Sequence, residues 1–201
     1  MDIRNYFKSS TENDNEKNQL NQLVKFEKSL KVYEVFTDGS SLNNGSKFKL
    51  QFGGIGVFFN RNEFSPICEP LTGKVTNNIA ELKACIRAIE FLISQKDFNN
   101  NHIHIYTDSE YTINCILKWG KKWEQNGWIN SKKQEISNKD LIVKLYNYNK
   151  KYKLKFIHVK AHQPEPKNKE SLEYKIWYGN FVADKLAQTA SYDSIKIQVS
   201  K

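Results

Sequence analysis

Cysteine is scarce in this chain. Cys68, Cys85 and Cys115 are the only three in 201 residues, well separated and without a C-x-x-C pair. Such spacing excludes a disulfide framework, and the three are expected to be small buried apolar residues in a reducing compartment. Long apolar runs are missing as well. No stretch approaches the ~20 residues of a membrane span, and none near the N-terminus resembles a secretory signal, so no membrane association is expected. The expected location is intracellular, in nucleus or cytoplasm or at a viral replication site. Acidic residues are outnumbered, 22 Asp plus Glu against 31 Lys plus Arg, for a formal charge of +9. That excess favours a polyanionic partner. There is no internal repeat. What is present, 39% apolar and 13% aromatic residues, suffices for one core, and the length fits one domain plus a tail.

Residues 9–22 are almost wholly polar and cannot offset their own ordering entropy, so residues 1–30 read as a flexible N-terminal extension. From Lys31 the pattern turns β-rich: Val32, Glu34 and Phe36 alternate with Tyr33 and Val35, and the run is expected to stop at Asp38-Gly39. Phe52 to Phe59 reads as a second strand. Arg61-Asn62 then reads as a hairpin turn into a third that ends around Leu71 to Gly73. From Asn78 the apolar period becomes helical, through Ile79, Leu82, Cys85, Ile86, Ile89 and Ile93. A strand through Ile103 and Ile105 reaches Asp108-Ser109, and a helix follows through Ile113, Ile116 and Leu117. The Lys/Trp-rich stretch 118–123, a helix through Leu141 to Tyr146, a strand from Leu154 to Val159 and a last helix through Ala190 complete residues 31–190. Residues 191–201 read as a tail. The order implies an α/β fold, a mixed sheet with helices on both faces and crossovers joining its inner strands.

Four carboxylates sit where such elements end or begin. Asp38, in Thr37-Asp38-Gly39-Ser40, could be a turn residue. Glu81 lies three after Asn78, the spacing of a capping box. Asp108-Ser109 could be an N-cap pair, and Asp184 one solvated acid on an Ala-rich helix. Together they say more, because the first and fourth strands would lie side by side and both helices can reach that sheet edge. Acids gathered in this way need something to offset their repulsion, and divalent cations with oxygen ligands are the natural offset. Two such ions suit phosphodiester hydrolysis.

TDGS, GGIGVFF, TNNIAELKA, YTDSEYTIN, the W-x-x-x-W of Trp119 and Trp123, NKD, VKAH and GN-x-x-ADKLA occur in this order from about Lys31 to Ala190. The ordered set resembles ribonuclease H of type 1. The resemblance implies a ribonuclease H-like fold with a five-stranded mixed sheet. It also implies endonucleolytic hydrolysis of the RNA strand of RNA/DNA hybrids, leaving 5′-phosphate and 3′-hydroxyl ends. Asp38, Glu81, Asp108 and Asp184 would hold two Mg²⁺ ions, with Mn²⁺ as a substitute, and His162 would shuttle protons or help product leave. RNA-strand contacts would come from Ser41, Asn44, Asn77, Asn78 and Glu110. A DNA phosphate pocket would use Lys74, Thr76 and Asn138, and Trp119 and Trp123 would pack on deoxyribose. Between His162 and Asp184 the chain departs from the family, with a stretch through Tyr178 longer than the usual Gly-containing loop, which is expected to reposition His162. His102 and His104, two apart on one strand, lack a third ligand and are expected to be structural or exposed.

The extreme N-terminus, Met1 to Phe7, resembles a sliding-clamp (PCNA) binding box without its glutamine, with Ile3, Tyr6 and Phe7 on one side of a helical turn. The expected partners are therefore an RNA/DNA hybrid and a clamp bound through residues 1–8, to a monomer working in replication or repair. Three other functions compete with this one. They are a catalytically idle hybrid-binding adaptor, a reverse-transcriptase fragment and another nuclease or integrase of the same fold.

Overall fold

A computed structural model describes residues 31–42, 52–96, 98, 102–152 and 154–199. Its strands are β1 (Val32–Leu42), β2 (Phe52–Phe59), β3 (Ile67–Leu71), β4 (His102–Thr107) and β5 (Leu154–His158). They form one five-stranded sheet in the order β3-β2-β1-β4-β5. The β1/β2 and β2/β3 pairs are antiparallel, whereas β1/β4 and β4/β5 are parallel. The central strand is buried on both faces, as a strand covered from both sides must be: Tyr33 and Val35 enter one core and Phe36 the other. In the second core Phe36 stacks on Tyr106 of β4 at 4.6 Å between centroids.

Helix α1 (Asn77–Ile93) covers the first face, capped by Thr76, whose hydroxyl accepts from the Ile79 N–H. The next helical stretch begins as α2 (Glu110–Ile113), widens into a π-helical segment (Asn114–Trp119) and resumes as α3 (Gly120–Gln125). Helix α4 (Lys139–Lys151) buries Ile142 and Leu145 in the same core as Leu82, Ile86 and Ile89 of α1. Helix α5 (Leu172–Val199) packs on the other face, with Ala183, Ala187 and Ala190 fully buried.

Small residues bring α5 close. A Cβ built on Gly56 would stand 2.1 Å from the Ala183 carbonyl oxygen and 2.6 Å from the Ala187 nitrogen. Gly39 does the same on the opposite face, where a Cβ would lie 2.2 Å from the Glu81 nitrogen. Strand β1 therefore does not stop at Asp38-Gly39. It runs on to Leu42, pairing Gly39 with Ile55, because Gly39 serves close approach to α1 and not a turn.

Other expectations change too. Helix α5 starts at Leu172 and continues past Ala190 to Val199, so only the segment up to Ser171 is loop. Its extra turns are held by buried serines: Ser194 Oγ accepts from the Gly53 N–H, and Ser40 Oγ donates to Ser191 Oγ. The connection from β2 to β3 spans residues 60–66, longer than a tight hairpin, because Tyr33, Phe59, Phe64 and Phe91 pack as an aromatic cluster beneath it. Cys85 and Cys115 are buried, whereas Cys68 is exposed on β3, its thiol donating to the Leu186 carbonyl.

Gly56→Ala forces a methyl into backbone that cannot swing aside. Overpacking of this kind costs about 1–3 kcal/mol or more. At about 2–4 °C per kcal/mol for a chain this size, Tm is expected to fall by roughly 2–12 °C in thermal denaturation, and an unchanged Tm would contradict the packing.

Candidate active site

The parallel ladder of β1 with β4 ends at Phe36↔Tyr106, which brings Asp38, two residues further along β1, beside Asp108, just past the end of β4. The close passage of α1 over Gly39 adds Glu81. One oxygen from each of Asp38, Glu81 and Asp108 lies within 4.8 Å of the others. Asp38 and Glu81 are buried, and Glu81 Oε2 has no hydrogen-bond partner. Glu81 is no capping-box residue: the cap is Thr76, five positions earlier, so the Glu81 carboxylate is left to face the other acids.

A cavity of about 490 Å³ opens over this group and is also lined by Asn77, Asn78, Glu110, His162, Asp184 and Gln188. Asp184 lines the same cavity, so the four acids expected to gather share one pocket, but it stands outside the tight group of three. Its Oδ1 accepts a 2.7 Å hydrogen bond from Gln188 Nε2, one helical turn on. Gln188 is a site residue that the sequence motifs did not flag, although its i, i+4 spacing from Asp184 was a usable signal.

The carboxyls are held away from their ordinary ionisation. Burial, then the charges of Asp108 and Asp184, raise the Asp38 pKa from 3.8 to about 7. Glu81 is pushed well above its usual range by burial and by Asp38 and Asp108. Asp108 is raised mainly by burial, with His162 and His158 acting in the opposite sense. Beneath the group the Cys85 thiol, bonded to Thr37 at 3.3 Å, is pushed up to about 12 by its burial. Hard oxygens, an orphaned buried carboxylate atom and mutual repulsion fit a divalent cation of the Mg²⁺ class.

His162 adopts left-handed backbone, φ 51°, where glycine is usual. The loop that carries it is pinned by Trp177 of α5, whose Nε1–H donates to the Gln163 carbonyl at 2.8 Å. His162 lines the cavity with the acids. Ser41 sits next to the cavity, its backbone N–H donating to Asn77 Oδ1. Lys74, Thr76, Asn77, Asn78 and Asn138 line a second cavity of about 600 Å³. There Asn138 also takes left-handed backbone and donates to the Tyr111 hydroxyl. Trp119 is exposed and Trp123 half-buried, their rings 5.4 Å apart, with Lys118, Lys121 and Lys122 exposed around them. Among the described residues His102 and His104 join no metal-binding group. Asn44, Ile3, Tyr6 and Phe7 lie outside the described residues.

Between the ordinary value of 3.8 and about 7 the folded chain holds a proton on Asp38 that the unfolded chain has released. Stability without divalent ions is therefore fully present below that window and is lost as pH rises through it. In EDTA, Tm is expected to fall between pH 5 and pH 8. Asp38→Asn is expected to flatten that slope and raise Tm at pH 8 by several degrees, at about 2–4 °C per kcal/mol. Thermal melts across this range decide it, and an unchanged slope in the variant would contradict the assignment.

Comparison with known proteins agrees with the geometry. The RNase H family model matches residues 30–192. Human Ribonuclease H1 is 32% identical over 160 residues, covering 80% of this chain and 50% of that protein. Ribonuclease H of Schizosaccharomyces pombe is 34% identical, covering 77% and 51%. Ribonuclease H of Clostridium botulinum is 33% identical, covering 69% and 89%. The chain thus spans about half the length of the human and yeast relatives. Among solved structures, the PFV RNase H domain superposes with TM-score 0.58 at 25% identity, covering 80% of this chain and 94% of that one. LC11-RNase H1, solved in complex with an RNA/DNA hybrid, shares the fold at TM-score 0.53 and 20% identity, covering 81% and 99%. With its sheet order, its carboxylates and these relatives in agreement, the chain belongs to the ribonuclease H family, type 1.

Proposed function

We propose that this chain is an endoribonuclease that hydrolyses the RNA strand of RNA/DNA hybrids, leaving 5′-phosphate and 3′-hydroxyl ends. The observation that carries the reading is the trio Asp38, Glu81 and Asp108, with oxygens within 4.8 Å of one another under a cavity shared with Asp184 and His162. Asp38, Glu81, Asp108 and Asp184 would hold two Mg²⁺, or Mn²⁺ in their place. Bound there, the ions supply positive charge at the scissile phosphate and acidify an attacking water.

The chain's own groups do the rest. His162 at the rim can pass protons between the site and solvent. Asn77 already accepts from Ser41, which leaves its amide NH₂ to donate to a 2′ hydroxyl. With Asn78, Ser41, Glu110 and Asn44 it reads the RNA strand, where only that hydroxyl and the helix shape distinguish RNA from DNA. Lys74, Thr76 and Asn138 receive a DNA phosphate, and the exposed ring of Trp119, with Trp123 behind it, packs on deoxyribose. The surplus of cations draws the duplex in.

Residues 31–199 would form the catalytic domain, and the segment bearing Ile3, Tyr6 and Phe7 would dock on a PCNA-type sliding clamp through the polar tether that follows. This reading makes the chain a monomer of replication or repair, in nucleus or cytoplasm or at a viral replication site. A clamp pulldown with Tyr6→Ala and Phe7→Ala together is expected to lose the clamp, and equal retention would contradict the docking.

Cleavage assays with Mg²⁺ on RNA/DNA, RNA/RNA and DNA/DNA duplexes test the activity. Only the hybrid is expected to be cut, and Asp38→Asn is expected to abolish cutting. Hybrid binding with no cutting by wild type would make the chain an adaptor, and cutting of the DNA duplex would remove the hybrid specificity.

A further inference from the structure

A third pocket, about 180 Å³, adjoins the acidic centre on its α5 side. One wall is aromatic: Trp177 and Phe181 stack 5.3 Å apart at an interplanar angle of 14°. Beside it on α5, outside the lining, Tyr174 stacks on Tyr178 at 12°. Phe181 and Tyr178 are each 43% exposed, so this face of α5 shows ring surface to solvent where a merely structural helix would show charge. Asn180, 8% exposed, lines the pocket, and its amide oxygen has no partner. Lys160 lines the mouth and is exposed, while Lys185 holds its ammonium 5.6 Å from the Phe181 ring centre.

We propose that this pocket receives one unpaired nucleobase, carried by a single strand that continues past the hybrid bound at the acidic centre. The inference rests on the hybrid-nuclease reading above. Its volume lies below the ~300–1,000 Å³ of drug-sized sites, which suits a single ring system. Asp108 and Asp184 form part of the lining, so the occupant's buried end is neutral and not a phosphate. Flat faces suit any base, and the orphaned Asn180 oxygen can accept from an amino or imino N–H on a base edge. Lys160, exposed in the lining, can meet a backbone phosphate of such a strand, while Lys185 is engaged by Gln188 and Asp184 beside the Phe181 ring. Continuity with the catalytic cavity, through Asp108, His162 and Asp184 lining both, selects a nucleic-acid strand over an unrelated peptide.

The test uses the full chain with Ca²⁺, a hard cation that supports oxygen ligation, in place of Mg²⁺ so that substrate stays uncut. Fluorescence anisotropy measures Kd for a blunt RNA/DNA hybrid and for hybrids extended by a short single strand of RNA or of DNA. Each extension is made with its bases and with abasic sites that keep the phosphates. Wild type is expected to prefer the base-bearing extension over the abasic one by on the order of tenfold on one of the two strands, which identifies the strand. Phe181→Ala is expected to lose that preference and Phe181→Trp to keep it, with both binding and cutting the blunt hybrid like wild type. Equal affinity of wild type for base-bearing and abasic extensions on both strands would overturn the proposal, as a peptide-docking face would produce. So would a Phe181→Ala variant that weakens the blunt hybrid as much as the extended one. Failure of wild type to cut the blunt hybrid in Mg²⁺ would sink the hydrolase reading separately, because the base-versus-abasic comparison involves no cutting.

Discussion

Everything in the site follows from carboxylates being packed closer than their charges favour. Asp38, Glu81 and Asp108 meet because the parallel ladder of β1 and β4 ends just before the two aspartates and a helix crosses β1 at van der Waals distance. The cost falls on their ionisation, with Asp38 raised to about 7 and Glu81 pushed well above its ordinary range by burial and by its neighbours. Two hydrophobic cores, one on each face of the sheet, supply the packing free energy that keeps this arrangement in place. The acids weaken the metal-free fold and prepare it for cations, a common trade at functional sites.

The environment of each acid differs. Asp38 and Glu81 are shut away from water, whereas Asp108 is less enclosed and feels His162 and His158. Asp184 sits on a long helix with its oxygen already engaged by Gln188. The same helix pins the His162 loop through Trp177, so one element sets both the fourth acid and the histidine. That coupling accounts for His162 lining the cavity together with Asp184.

Much of this could be read from the chain. Alternating apolar residues in β1 and β4 and the 3.6-residue period of α1 gave the sheet and its main helix, because burial imposes those periods directly. The family motifs identified the acids, which single-residue reasoning left as a turn, a cap and a surface charge. Asp38-Gly39 looked like a turn because Asp-Gly usually is one, and only the helix passing over Gly39 shows why glycine is needed within a strand. The start of α5 at Leu172 was hidden by polar residues around it, since its first turns rest partly on exposed rings and not on a buried stripe. Gln188 was marked only by its i, i+4 spacing from Asp184, and Asn180 only by its place in GN-x-x-ADKLA. Their importance comes from which neighbours the fold leaves beside them, as does the exposure of Cys68.

The most direct measurement is anomalous diffraction from crystals of the full chain soaked in Mn²⁺. The account predicts two peaks among the carboxylates of Asp38, Glu81, Asp108 and Asp184, with Glu81 Oε2 acquiring a partner. Carboxylates that turn apart and leave no peak between them would contradict it.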